Sequence, residues 1–207
     1  MWILLALSTL SAGAADESSR SDAAAMIETE YDHPRIHAGL VTMNAIFPGV
    51  RLGVEFPLLL DVRDRKPKRR DVRKHGIGEI VVRPNAGFWI EPRNANNVFL
   101  GGEAGVRWTT HRGFRFGSYL GVNYLHAFNG GMTYNASEPG NVRPAPLGGN
   151  PAFLGTAALG LGMDWKKKKQ NPLSLDFRAG AWVQAPFNNF ILPGVMLELD
   201  VGWRFKP

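Results

Sequence analysis

VFLGGEAGVRWTTHRGFRFGSYLGVNYLHAF, residues 98–128, alternates between two unlike faces. One set of alternate positions is greasy: Val98, Leu100, Ala104, Val106 and Trp108, then Phe114, Phe116, Leu120, Val122 and Tyr124. The set between them carries Glu103, Arg107, Arg115, Tyr119 and Asn123, diluted with Gly101, Gly105, Gly117 and Gly121. A period of two belongs to β-strands, whose successive side chains point to opposite sides. The interruption THRG, residues 110–113, is turn chemistry. The stretch predicts a hairpin of two long strands, apolar on one face and charged or glycine-rich on the other.

The pattern recurs along the chain. Eight alternating segments are predicted: residues 35–47, 50–60, 78–90, 97–109, 114–128, 152–165, 173–186 and 192–205. The first alternates least clearly. Between them lie FPG, a basic stretch, EPRNANN, THRG, the long Gly- and Pro-rich segment 129–150, KKKKQNP and FNNF. Strands in globular proteins run about 5–6 residues. These run about twice that, close to the 9–11 residues a tilted strand needs to cross a bilayer. No apolar run approaches the length of a membrane helix, and no helical period follows residue 34.

The polar face decides which way the pattern points. A water-facing sheet surface carries Thr, Lys and Glu in quantity. Here that face is largely glycine, at Gly53, Gly87, Gly160, Gly162, Gly180 and Gly202 among others. Small residues suit the cramped inside of an eight-stranded barrel, where side chains just fill the interior. The charges set among them are of both signs: Arg51, Glu55, Glu79, Arg83, Glu103, Arg107, Arg115, Asp164, Asp176, Arg178, Glu198, Asp200 and Arg204. Inside a lumen they can pair. Facing lipid, each Arg would cost roughly 2–4 kcal/mol at mid-depth. On the apolar face, Trp108, Phe114, Phe116, Tyr124, Trp165, Trp203 and Phe205 lie near strand ends, as expected of aromatic girdles at the two membrane interfaces. The fold class predicted is all-β: an eight-stranded antiparallel up-and-down transmembrane β-barrel.

The remaining composition fits export to a membrane. WILLALSTLSAGAA reads as the apolar core of a signal peptide, with Ala12 and Ala14 as a small-x-small cleavage pattern, so residues 1–14 are expected to be removed. Residues 15–34 hold six acids against Arg20 and read as an acidic periplasmic tail; residues 35–207 form the barrel. The chain has no cysteine, which excludes disulfides, a thiolate metal site, a thiol nucleophile and a lipoprotein anchor. The formal charge of +6 is local. Residues 63–74, RDRKPKRRDVRK, carry eight basic and two acidic side chains, and residues 166–169 are four lysines. These runs lack the interleaved aromatics of a groove that tracks nucleic acid, so no nucleic-acid partner is expected.

The last segment alternates Leu197, Leu199, Val201, Trp203 and Phe205 with Glu198, Asp200, Gly202 and Arg204. It resembles the terminal strand signal of outer-membrane proteins, with Lys206 and Pro207 following the final aromatic. The span 35–205 as a whole resembles the small outer-membrane β-barrels, the class of the OmpA and OmpX barrels. That resemblance implies residence in the outer membrane of a Gram-negative bacterium. It implies contact with outer-membrane lipids and lipopolysaccharide, and handling by the barrel assembly machinery. It leaves room for a periplasmic or surface protein partner. With both barrel ends of the chain in the periplasm, the connections 61–77, 110–113 and 166–172 are expected there. The long segment 129–150 is expected outside, where long loops belong. Both basic runs then face the inner leaflet or the acidic tail.

No constellation carries obvious chemistry. Some barrels of this class are lipid A deacylases, which use a His-x-Ser-Asn-like motif at the outer rim. This chain has His126, Ala127, Phe128 and Asn129 there, with no serine; Ser118 is half a strand away and Ser137 lies in the long loop. His33 and His37 are four apart, a spacing that suits a helix, on a segment without helical pattern. No metal, cofactor or catalytic residue is predicted. The expected role is a non-enzymatic barrel with a salt-bridged, closed lumen. A small pore comes second and a lipid A-modifying enzyme third.

Overall fold

The structure, a computed structural model, describes residues 33–65, 74–92, 95–110, 112–129, 134–138, 141–144, 148–165, 172–187 and 190–205. The predicted signal peptide, nearly all of the acidic tail and the tetralysine lie outside these residues. The elements are β1 (Arg35–Met43), β2 (Phe47–Arg65), β3 (Lys74–Glu91), β4 (Ala95–Thr109), β5 (Phe114–Asn129), β6 (Tyr134–Glu138), β7 (Asn141–Pro144), β8 (Gly149–Asp164), β9 (Leu173–Phe187) and β10 (Phe190–Arg204). Eight of them form a closed barrel in the order β1-β10-β9-β8-β5-β4-β3-β2, and β6 and β7 pair as a separate hairpin within the long connection. Every pairing is antiparallel, and β1 closes the barrel on β10 from Arg35↔Arg204 to Met43↔Met196. Closure leaves the barrel strands without a free edge, the condition for a sheet to sit in lipid.

Alternation explains the faces. From Val195 onward β10 and the residue after it alternate: Met196, Glu198, Asp200, Gly202 and Arg204 are buried, and Val195, Leu197, Leu199, Val201, Trp203 and Phe205 are exposed. At a strand rise of roughly 3.3 Å and a tilt near 40°, Val195 to Phe205 spans about 25 Å, the height of the apolar band on membrane barrels. Leu40, Leu100, Leu120 and Leu159 expose 63%, 64%, 70% and 70% of their surface. Contiguous apolar exposure on this scale is unstable in water and natural in lipid. The barrel is inside-out, with charges within and hydrocarbon without.

Several strand ends shift by one to three residues from those predicted, and two connections differ more. The first turn falls at residues 44–46, not at residues 47–49, which belong to β2. Ile46 N–H donates to Met43 O across 3.2 Å, and both central residues are left-handed, with φ of 52° and 60°. Two consecutive left-handed residues turn the chain sharply within this three-residue loop. Asn44 is also pinned sideways: its N–H donates to Val195 O at 2.7 Å, and its side-chain oxygen accepts from Val195 N–H at 3.2 Å.

The second difference lies at the opposite end. Residues 61–65 and 74–77 are strand rather than loop, because the β2–β3 ladder continues to Arg65↔Lys74. Neighbouring strands stop earlier, β1 at Arg35↔Glu55 and β4 at Thr109↔Ile77. The hairpin therefore runs past the barrel at the end that holds Arg35 and Arg204. Alternation does not mark this part, where β2 and β3 pair only with each other. A register shift between Pro57 and Leu59 accompanies the start of the extension.

Candidate functional site

The interior of the barrel is the most organised feature of the molecule. All thirteen charged residues assigned to the lumen from sequence are buried, the most accessible being Asp176 at 7%. Arg35 and His37, on the weakly alternating β1, join them. Among the described residues the buried groups are seven arginines (35, 51, 83, 107, 115, 178, 204) and seven carboxylates (55, 79, 103, 164, 176, 198, 200). Unpaired buried charge is very costly, so equal numbers are what a filled, narrow lumen requires.

The pairs form two connected groups. Toward the end holding Arg35 and Arg204, Arg35 donates to Glu55 at 2.8 Å, to Asp176 at 3.0 Å and to the Ser174 hydroxyl at 2.6 Å. Arg107 donates to Glu55 at 2.6 Å and to Glu79 at 2.7 Å. Arg115 sits 3.4 Å from Asp176 and 4.0 Å from Asp164, and Arg204 is 3.9 Å from Asp164. At mid-barrel, Glu103 accepts from Arg51 at 2.8 Å, from Arg178 at 2.6 Å and from Thr156 at 3.3 Å. Glu198 accepts from the same two arginines at 3.1 and 2.9 Å. Arg83 donates to Asp200 and joins the groups, with Glu55 at 3.6 Å and Glu103 at 3.9 Å.

Tyr119 shows why the glycines are there. Its buried ring carries Arg178 at 4.4 Å and Arg83 at 5.4 Å on its face, within cation–π reach. A Cβ at Gly105 would fall on this ring, one at Gly117 would lie 3.0 Å from its hydroxyl, and one at Gly160 would lie 3.2 Å from its edge. Three glycines thus clear the wall for one tyrosine and its two guanidinium partners.

The other end of the lumen is apolar. Val41, Met43, Trp89, Phe99, Leu125, Ala152, Leu154, Ala158, Trp182 and Met196 form one buried cluster. Trp89 and Phe99 pack with ring centroids 5.8 Å apart. The indole N–H of Trp89 donates to Glu91 at 3.1 Å, and that of Trp182 to Val195 O at 3.0 Å. Arg51 lies 5.2 Å from the centre of Phe99 and joins the plug to the charges. A signal for the plug existed. Trp89 shares the parity of Glu79 and Arg83, Phe99 that of Glu103, Trp182 that of Asp176 and Arg178, and Met196 that of Glu198.

The aromatic residues assigned to the girdles all face outward. Phe114, Phe116, Tyr124, Trp203 and Phe205 are about half exposed, while Trp108 and Trp165 are partly covered. Trp108 lies over Gly76 of the extended hairpin, where a Cβ would strike its ring. Except for Tyr124, they gather at the end holding Arg35 and Arg204.

His126 lies at the opposite rim on the outer face. Its Nδ1 shares a hydrogen bond of 3.2 Å with the Tyr124 hydroxyl, and its ring is 4.5 Å from that of Phe128. Ser118 is exposed on the lipid-facing side, paired with Val106 and Leu159 far down β5. The side chain of Ser137 lies outside the described residues. His37 is in the lumen and on a strand, so it shares no helix face with His33. Among the described residues, no group of three His, Asp or Glu side chains is arranged to hold a metal ion.

No protein-family model matches the chain, and no curated protein does. Among solved structures it is similar to the N-terminal β-barrel domain of Pseudomonas aeruginosa OprF, at 14% identity and a TM-score of 0.46, over 84% of this chain and 98% of that one. It is similar to the outer membrane enzyme PagL at 13% identity and a TM-score of 0.43, over 83% and 99% of the two chains. Neisserial surface protein A gives 9% identity and a TM-score of 0.41, over 84% and 96%.

Proposed function

We propose that this protein is an integral barrel of a Gram-negative outer membrane, that its lumen is closed, and that it serves a structural or surface-interaction role without catalysis. The observation that carries the proposal is the filled interior: an apolar plug over one end of a charge-balanced network. An eight-stranded barrel has room for side chains and little else, and here seven arginines and seven carboxylates take that room. Function then belongs to the ends and the rim. The topology puts the connection holding β6 and β7 at the end opposite Arg35 and Arg204. With the latter end in the periplasm, that connection meets the outside, alongside lipopolysaccharide or a surface partner. The basic hairpin between β2 and β3 and the lysines at 166–169 then meet anionic headgroups or a periplasmic partner. The barrel assembly machinery is the partner expected during insertion.

The test is electrical. Purified barrel in planar bilayers is expected to give no steady conductance, and a stable open channel would favour the pore. The third reading, a lipid A-modifying enzyme, has only His126 at the rim, hydrogen-bonded to Tyr124 and with Ser118 far down the strand. Mass spectrometry of lipid A incubated with the purified protein decides it: an unchanged mass supports the non-enzymatic role, and loss of an acyl chain overturns it.

A further inference from the structure

Among the described residues, His37 is the single imidazole in the buried groups of the lumen, and imidazole is the side chain that ordinarily changes charge between about pH 5 and 8. Its Nδ1 stands between two groups that demand opposite protonation states. Arg83 Nη2 lies 2.9 Å away and can only donate, so that contact needs a bare lone pair on Nδ1. Asp200 Oδ1 lies 3.4 Å from the same nitrogen and can only accept. That oxygen is buried and receives no hydrogen bond, while Oδ2 is taken by Arg83. Nε2 of His37 has no partner either and faces the bare backbone of Gly53, so it biases neither state.

Arg83 has somewhere else to go. Its Nε is 3.6 Å from Glu55 and its Nη1 is 3.9 Å from Glu103, inside ion-pair range and outside hydrogen-bond range. A shift of under roughly 1 Å closes either contact to the usual N–H···O length. The charged groups around His37 are Arg35 on its own strand, Arg51 and Glu55 on β2, Arg83 on β3, and Glu198, Asp200 and Arg204 on β10.

We infer that His37, Arg83 and Asp200 form a proton switch at the centre of the lumen. With the imidazole neutral, Arg83 docks on Nδ1 and struts β3 against β1. When one proton is taken from solution, the new Nδ1–H donates to Asp200 Oδ1. Arg83 then leaves Nδ1, keeps Asp200 Oδ2 and moves toward Glu55 and Glu103. The lumen passes from neutral to a charge of +1. The change falls beside the β1–β10 seam where the barrel closes, exchanging a β3–β1 strut for a β1–β10 clasp.

Nitrogen-15 NMR of the whole folded barrel in lipid nanodiscs tests this, from about pH 8 to about pH 4. His37→Gln and Arg83→Lys assign the two resonances. The expected result is a bare Nδ1 on His37 at the upper end, and an Nδ1–H that appears with the same midpoint as a move of the Arg83 Nε signal. In His37→Gln the Arg83 signal should hold still across the range. A proton on Nδ1 at about pH 8, an imidazole neutral down to about pH 4, or a His37 titration that leaves Arg83 unmoved overturns the switch. Wild-type spectra alone decide the protonation of Nδ1, so the inference stays testable if a variant fails to fold.

Discussion

Glu103→Gln is the sharpest single perturbation of the lumen. Glu103 takes Arg51 and Thr156 on one oxygen, at 2.8 and 3.3 Å, and Arg178 on the other at 2.6 Å, with Arg83 a further 3.9 Å away. Glutamine keeps the shape and one acceptor. It removes the charge and points an NH₂ at guanidinium groups that can only donate. The buried count becomes seven arginines against six carboxylates. Breaking a buried ion pair from one side costs about 3–5 kcal/mol. Here Arg51 and Arg178 keep Glu198, at 3.1 and 2.9 Å, and Arg83 keeps Asp200, which puts the expected loss near the lower limit. About 3 kcal/mol is roughly a 150-fold shift in the folded-to-unfolded ratio.

The assay is a urea titration of barrels folded into vesicles, followed by the change in gel mobility between folded and unfolded forms. Adding Arg178→Gln to Glu103→Gln makes the charges even again. The double variant should then fall short of the summed losses by about 1–3 kcal/mol. A Glu103→Gln loss below about 0.5 kcal/mol, typical of exposed ion pairs, would refute the reasoning. It would mean that water reaches the network and screens it.

Leu120→Arg, at a site 70% exposed, separates lipid from water as the outer solvent. It should cost roughly 2–4 kcal/mol in vesicles and almost nothing on a water-facing strand, and the same urea titration reads the difference. Gly105→Val should block folding, because its side chain would occupy the ring position of Tyr119, whereas Gly102→Ala should fold normally, its Cβ meeting nothing closer than 3.7 Å; heat-modifiable gel mobility distinguishes the two. Ala45→Gly relieves a left-handed alanine at a hairpin turn, φ 60°. It should raise stability by up to about 1 kcal/mol, seen as a higher urea midpoint with an unchanged slope.

Alternation made the barrel legible, since a period of two assigns every residue of a strand to a face once one charge is placed. Glu103 and Arg107 fix β4, Asp176 and Arg178 fix β9, and Glu198 and Asp200 fix β10. The same logic went quiet where contrast was lost. In β1 the inward Val41 and Met43 are as apolar as the outward Ile36 and Leu40, so Arg35 and His37 were not placed with the lumen charges. Trp89, Phe99 and Trp182 look like lipid-facing aromatics unless parity is carried along from the charged residues below them. The pairings themselves were not legible at all. Arg51 reaches Glu103, 52 positions away, and Arg35 reaches Asp176, 141 positions away. Which arginine meets which carboxylate depends on the stagger of strands around the barrel, which no single strand encodes.

The plug raises the question of why the rest of the lumen is charged. Hydrophobic packing is available to this interior, and buried ion pairs are often no more stabilising than apolar residues of the same volume. What charges add is discrimination between registers. A one-residue slip of a strand exchanges its two faces. With arginine and glutamate inside, the slipped strand carries them into lipid, at roughly 2–4 kcal/mol for each arginine near mid-depth. With leucine inside, both faces would be apolar and the slip would cost far less. This accounts for the contrast between the faces of residues 98–128, where inward Arg107 sits between outward Val106 and Trp108, and inward Arg115 between outward Phe114 and Phe116. Replacing Arg51, Glu103, Arg178 and Glu198 together by Met or Leu should therefore leave the correctly folded barrel about as stable as the wild type. It should also yield a mixture of folded species on unheated gels. A single sharp band with native stability would show that register is held elsewhere, by the turns and the glycine–tyrosine wall.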